Sequence, residues 1–190
     1  MPHFNFPLFL TWCRIVAIPL FVAVLYVPED WIGEKMRNVI SMWIFIGAAV
    51  TDWLDGYLAR KWNQTTSFGA FLDPVADKLM VAAALIVLCE FGRIYAIVAL
   101  IIIGREITIS ALREWMAQIG QSKSVAVNLA GKIKTVAQLV AIPFLLYDDR
   151  LFGLFETRWV GHVLISAAAA ITLWSMVLYL RAAIAAPPSK

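Results

Sequence analysis

Charge is scarce in this sequence. Asp, Glu, Lys and Arg make up 15% of its 190 residues, against roughly 25% in ordinary soluble domains. Hydrophobic residues make up 62%, and the mean hydropathy is +0.78. A soluble domain of this size cannot hide that much apolar surface, and a disordered chain would not carry it. Cysteine is nearly absent: Cys13 and Cys89 both lie inside apolar runs. That excludes a disulfide scaffold. The two thiols would sit at different depths in a bilayer, so no bond between them is expected. His3 and His162 are isolated, with no Cys or His partner at zinc spacing, and read as non-catalytic. There is no internal repeat and no low-complexity tract. The opening MPHFNFPLFL lacks a basic n-region and an AxA-like cleavage site, so the first apolar run reads as a retained helix. What survives these exclusions is an integral membrane protein.

Six apolar runs are present, at about 6–27, 39–59, 71–91, 94–115, 129–147 and 160–184. Each is near the roughly 20 residues that a bilayer crossing needs. They predict an all-α bundle of six transmembrane helices in a single domain, 1–190. The polar stretch 121–128 reads as a short surface connection, and the tail 185–190, with Pro187 and Pro188, as a frayed end. Trp12, Trp31, Trp43, Trp159 and Trp174 suit interfacial belts or packing, and Trp53 suits a lipid-facing or helix-facing position.

An even number of crossings places both termini on one side. That side collects eleven bases (Arg14, Arg60, Lys61, Lys78, Arg105, Arg113, Lys123, Lys132, Lys134, Arg181, Lys190) against six acids. The other side has five bases (Lys35, Arg37, Arg93, Arg150, Arg158) against seven acids. The termini are therefore expected in the cytoplasm. No nucleic-acid partner is expected.

The chemistry gathers where the second run ends and the third begins. The second closes with Thr51-Asp52-Trp53-Leu54-Asp55-Gly56-Tyr57-Leu58-Ala59-Arg60. The third opens with Gly69-Ala70-Phe71-Leu72-Asp73-Pro74-Val75-Ala76-Asp77-Lys78. Asp52 and Asp55 share one helix face, and Asp73 and Asp77 share another. The short link makes the helices antiparallel neighbours, so the carboxylate faces can meet near the cytoplasmic ends. Pro74 fits the first turn of a helix. Helix capping or pairing with Arg60, Lys61 and Lys78 could explain one or two of these acids. It does not explain four with paired spacing inside a membrane. Like charges at one spot need compensation, and oxygen-only ligands favour hard cations such as Mg²⁺ or Mn²⁺. Two ions about 4 Å apart suit such a site. Gly56, Ala59 and Gly69 remove bulk, which serves either close helix approach or a flat ligand. Arg60 can fork onto a phosphate or snorkel to the interface.

The run Asp52-x2-Asp55-Gly56-x2-Ala59-Arg60-x8-Gly69-x3-Asp73-x3-Asp77 resembles the CDP-alcohol phosphotransferase signature at every fixed position. The resemblance covers the whole chain, since that family's core is also six transmembrane helices. Further stretches are similar to the bacterial members that use glycerol 3-phosphate as acceptor: Asn5-x-Pro7-x3-Thr11-x2-Arg14-x4-Pro19, Arg105-Glu106-Ile107, Ala111-Leu112-Arg113-Glu114-Trp115, and Gly131-Lys132-Ile133-Lys134-Thr135 with Gln138. The resemblance implies transfer of the phosphatidyl group of CDP-diacylglycerol to sn-glycerol 3-phosphate, in the bacterial inner membrane. It implies Asp52, Asp55 and Asp73 as ligands of Mg²⁺ or Mn²⁺, and Asp77 as general base lying beside or bound to the metals. Gly56, Ala59, Arg60 and Gly69 match positions that receive the CDP moiety, and Asn5, Pro7 and Thr11 are assigned to the same side. A homodimer is implied by the resemblance alone.

The acceptor implied is a dianion and needs a basic pocket. Arg105, Arg113, Lys132 and Lys134 are the candidates, with Lys78 and Arg14. Arg105 follows Ile101-Ile102-Ile103-Gly104, deep enough to demand a reason. It could instead pair with Glu106 or one of the aspartates. Arg113 could anchor at the surface or pair with Glu114, and the lysines could serve topology. Rival readings keep the family and change the acceptor to inositol phosphate, serine or phosphatidylglycerol. Others are a membrane prenyltransferase, or a transporter with midplane acids on broken helices.

Overall fold

The computed structural model describes residues 6–62, 66–118, 129–151 and 153–184. Among these residues six helices follow in order: α1 (Phe6–Leu25), α2 (Glu34–Trp62), α3 (Ser67–Glu90), α4 (Ala96–Gln118), α5 (Leu129–Tyr147) and α6 (Thr157–Ile184). Each of the six apolar runs is a helix. The expected connection at 121–128 and the tail at 185–190 lie outside the described residues. A hairpin of β1 (Arg150–Leu151) and β2 (Phe155–Glu156) joins α5 to α6. Arg150 faces Glu156 and Leu151 faces Phe155. Strands of two residues are too short to leave a periodicity in the sequence.

α1, α2 and α6 carry stretches long and apolar enough to cross a membrane: Leu8–Leu25, Glu34–Leu58 and Thr157–Arg181. The apolar stretch of α5, Ile133–Tyr147, is shorter. α3 and α4 have 24 and 23 residues, long enough for a ~30 Å core at ~1.5 Å per residue. Their charges, Asp73, Asp77 and Lys78 on α3 and Arg105, Glu106 and Arg113 on α4, interrupt the apolar sequence. Trp31, Tyr95, Leu100, Trp159 and Trp174 stand exposed around the outside.

The broadest helix contacts are α5 with α6 and α1 with α2, followed by α1 with α3, α2 with α5 and α4 with α6. Gly161 explains the closeness of α5 and α6. A Cβ there would stand 2.6 Å from Leu145 Cγ, so only glycine permits the approach. One core joins all six helices through Phe21, Phe45, Leu85, Ile102, Ile142 and Ile165. A smaller cluster of Ile109, Met116 and Tyr179 packs α4 on α6 nearer the opposite end from the hairpin.

At the hairpin end, Arg93 is 4% exposed. It donates to the carbonyls of Leu145 at 3.3 Å and Leu146 at 2.9 Å, and to Asn38 Oδ1 at 2.8 Å. It also pairs with Asp148 at 3.2 Å. Burial pushes the guanidinium pKa down, and Asp148 and Glu34 oppose that. The last turn of α5 thus gains donors that its own backbone lacks.

One local expectation is corrected. α3 begins at Ser67, with Thr66 as its N-cap accepting from the Gly69 N–H at 3.0 Å. Pro74 is therefore inside the helix rather than in its first turn. It has no N–H to offer the Ala70 carbonyl. The sequence signal was masked because Thr66-x2-Gly69 supplies the cap two turns earlier. Both Cys13 and Cys89 are free thiols.

Candidate active site

The α2 carboxylates meet α1. Thr11 and Arg14 repeat the i, i+3 spacing of Asp52 and Asp55, so each pair occupies one helix face. Arg14 Nη1 lies 2.7 Å from Asp52 Oδ1, and Nη2 lies 2.5 Å from Asp55 Oδ2. Arg14 and Asp55 are each 2% exposed, and Asp52 is half-buried. Thr11 Oγ1 donates to Asp73 Oδ1 at 2.5 Å. Two residues one turn apart on α1 therefore hold three of the four aspartates. The structure places Arg14 among the acids, not among the bases with which the sequence grouped it.

Asp77, one turn past Asp73, is half-buried. Among the described residues it has no hydrogen bond or ion pair. It lines two small cavities. One is shared with Arg14, Phe45, Ala48 and Met80. The other, about 40 Å³, is shared with Lys78, Glu106, Thr135 and Gln138. Asp77 thus stands between the acidic and the basic halves of the site.

Among the described residues, no three His, Cys, Asp or Glu side chains are gathered closely enough to hold a metal ion. The Arg14 guanidinium stands between the α2 carboxylates. The donor set still fits a hard divalent cation, because it is oxygen-only and comes from two neighbouring helices. Asp52 and Asp73 both act on the charge of Asp55, and Asp52 acts on that of Asp77. One guanidinium is a single positive charge against this group, and its Nε is buried without a hydrogen-bond partner.

The basic half is built by α3, α4, α5 and α6. Lys78 Nζ donates to Ser110 Oγ at 2.5 Å. Lys134, 2% exposed, pairs with Glu106. Arg105 lies 3.6 Å from Glu106 Oε1 and donates to Ser175 Oγ at 3.2 Å. Arg105 and Arg113 both stand over the Tyr179 ring, at 5.7 and 5.6 Å, within cation–π range. The pairing of Arg105 with Glu106 is thus present, but Lys134 takes the same carboxylate. Lys78 and Arg105 each feel the charge of Arg113, and Lys134 feels those of Arg105 and Lys78. An anion among them would relieve that repulsion.

Several of these residues were not singled out from sequence: Ser110, Ser175, Tyr179 and the bridging role of Glu106. Ser175 and Tyr179 sit four apart in an apolar run, and that spacing was the available signal. Gln138 is 4% exposed, lines the cavity beside Asp77, and has an Nε2 without a hydrogen-bond partner. Gly56 is half-buried on α2. A Cβ on Gly69 would stand 3.0 Å from Thr66 Oγ1, so the α3 cap itself calls for a small residue there. Asn5 lies outside the described residues. Pro7 falls in α1, Ala59 and Arg60 in α2, and Lys132 in α5, with their side chains outside the described residues.

Fold and site together define a helical membrane protein with an acidic and a basic cluster meeting inside one end of the bundle. The chain belongs to the CDP-alcohol phosphatidyltransferase family, whose model matches residues 4–179. It is 48% identical over 183 residues to the CDP-diacylglycerol–glycerol-3-phosphate 3-phosphatidyltransferases of Salmonella typhimurium (strain LT2) and Escherichia coli (strain K12), covering 95% of this chain and 96% of each relative. It is 49% identical to the protein of that name from Shigella flexneri, with the same coverage.

Proposed function

We propose that this protein transfers the phosphatidyl group of CDP-diacylglycerol to sn-glycerol 3-phosphate, giving phosphatidylglycerophosphate and CMP. The observation that carries the reading is the position of Asp77, a carboxylate with no hydrogen bond or ion pair among the described residues, between an aspartate cluster and a basic cluster. The likeness to relatives bearing that enzyme name supports it.

The chain's residues divide the work. Lys78, Arg105, Arg113 and Lys134 hold the acceptor's phosphate. That brings its free primary hydroxyl toward Asp77, which takes the proton as the hydroxyl oxygen bonds to the phosphorus bearing the diacylglycerol. The bond from that phosphorus to the CMP oxygen breaks, and CMP leaves. Asp52, Asp55 and Asp73, with Asp77 beside or among them, would hold two Mg²⁺ or Mn²⁺ ions. Such ions neutralise a pyrophosphate and stabilise the leaving CMP. The CDP moiety is received along Gly56, Ala59, Arg60 and Gly69, with Asn5, Pro7 and Thr11 assigned to the same moiety. The single-domain chain works in the bacterial inner membrane as a homodimer, with the site and both termini on the cytoplasmic side.

Purified protein supplied with CDP-diacylglycerol, Mg²⁺ or Mn²⁺ and each candidate acceptor in turn decides the matter. CMP release that needs glycerol 3-phosphate is expected. A preference for serine, inositol phosphate or phosphatidylglycerol overturns the acceptor assignment.

A further inference from the structure

An apolar groove of about 120 Å³ runs between α3 and α4. Its floor is Ile102, which is fully buried, and its walls are Val81, Ala82 and Ile103, which are half-buried. Its rims are Leu79 and Ile107, 51% and 64% exposed. The groove is therefore open toward the lipid-facing side of the bundle. Its polar end is formed by Lys78 and Glu106, and both also line the polar cavity that holds Asp77 and Gln138. Val81 belongs to both spaces as well.

The charged cavity and the lipid-facing groove thus adjoin, sharing Lys78, Val81 and Glu106. From one to the other the lining changes from charged and hydrogen-bonding to apolar within about one helical turn. A diacylglycerol phosphate ester matches that order: a charged headgroup next to an ester and a hydrocarbon chain. We propose that this α3–α4 groove seats the proximal part of one acyl chain of the phosphatidyl donor, whose reacting phosphorus lies toward Asp77. The assignment rests on the phosphatidyl-transfer reading given above.

Lipid tails are as apolar as the groove, so seating a chain there yields little transfer free energy. What the groove supplies is position. A chain fixed along Val81, Ala82 and Ile103 sets where the phosphorus lies relative to Asp77, and small displacements of a reacting centre are costly. Filling the groove should therefore slow turnover of a long-chain donor more than it weakens binding. A donor too short to enter should be indifferent.

The test compares the wild-type protein with Ala82→Phe, using CDP-dioleoylglycerol and CDP-dibutanoylglycerol in detergent. The expected result is a fall of about tenfold in kcat with the dioleoyl donor. The dibutanoyl donor and the KM for glycerol 3-phosphate should change by less than about twofold. Equal losses with both donors, or no loss with either, overturn the proposal. A second arm needs no variant. A CDP-diacylglycerol analogue with a photoreactive group low on one acyl chain should label 79–82 and 102–107 in wild-type protein, and excess CDP-diacylglycerol should suppress the labelling. Labelling confined to other helices overturns the groove. The labelling arm does not depend on turnover, so absence of CMP release refutes the activity while the groove is still decided separately.

Discussion

Arg14 Nη2 and Asp55 Oδ2 stand 2.5 Å apart, and each residue is only 2% exposed. A buried pair of this kind is expensive to break, because removing one partner strands the other charge. Arg14→Met should therefore destabilise the protein by about 3–5 kcal/mol, read as an earlier thermal transition in detergent. Because Asp52 and Asp55 then lack their counter-charge, added Mg²⁺ should stabilise the variant more than it stabilises wild type. A melting temperature indifferent to both the substitution and Mg²⁺ would mean that the aspartates are not a charge-coupled group.

Asp77 is in the opposite position. It has no ion pair among the described residues to lose, so Asp77→Asn should leave the thermal transition within about 1 kcal/mol of wild type. Its loss as proton acceptor should lower kcat at least ~10²-fold, with CDP-diacylglycerol still bound. Turnover close to wild type would remove Asp77 from the general-base role.

Sequence was informative here in proportion to the cost of placing a group in a membrane. Four aspartates, and arginines behind runs such as Ile101-Ile102-Ile103, are conspicuous because a bilayer tolerates few of them. Helix existence followed from the same apolar runs. Partner choice was less legible. Arg14 could be read as one more base for an anion, because sequence spacing does not reveal that α1 packs against the ends of α2 and α3. Tyr179 and Ser175 reach the basic cluster from the far end of the chain, a juxtaposition that only helix packing creates. The start of α3 was misplaced because Pro74 offered a familiar signal, whereas the Thr66 cap lies outside the apolar run.

Arg105 reaches Ser175 and the Tyr179 ring, and it shares Glu106 with Lys134. If its charge serves the acceptor's phosphate, Arg105→Ala removes a charged hydrogen-bond donor from that anion alone. Such bonds contribute about 1.5–3 kcal/mol, so the KM for glycerol 3-phosphate should rise roughly ten- to a hundredfold. The KM for CDP-diacylglycerol should move by less than about threefold. Steady-state kinetics varying each substrate separately supplies both numbers. Equal rises for the two substrates would assign Arg105 to holding α4 and α6 together instead.

Arg93 tests the other end of the molecule. It is 4% exposed, donates to the Leu145 and Leu146 carbonyls and to Asn38, and pairs with Asp148. These contacts tie the α3–α4 turn to the end of α5 and the start of α2, and they touch no residue of the candidate active site. Arg93→Leu leaves the Asp148 carboxylate with only the longer 3.8 Å contact to Arg158 and removes the donors to two helix-terminal carbonyls, which should cost about 3–5 kcal/mol. Arg93→Lys keeps the charge but loses the planar fork that reaches several acceptors at once, so a cost of about 1–3 kcal/mol is expected. Thermal melts should rank wild type above Lys above Leu. CMP release per folded molecule, measured well below the transition, should be unchanged in all three. A Lys variant as stable as wild type would show that charge alone, and not the fork, holds this end of the bundle.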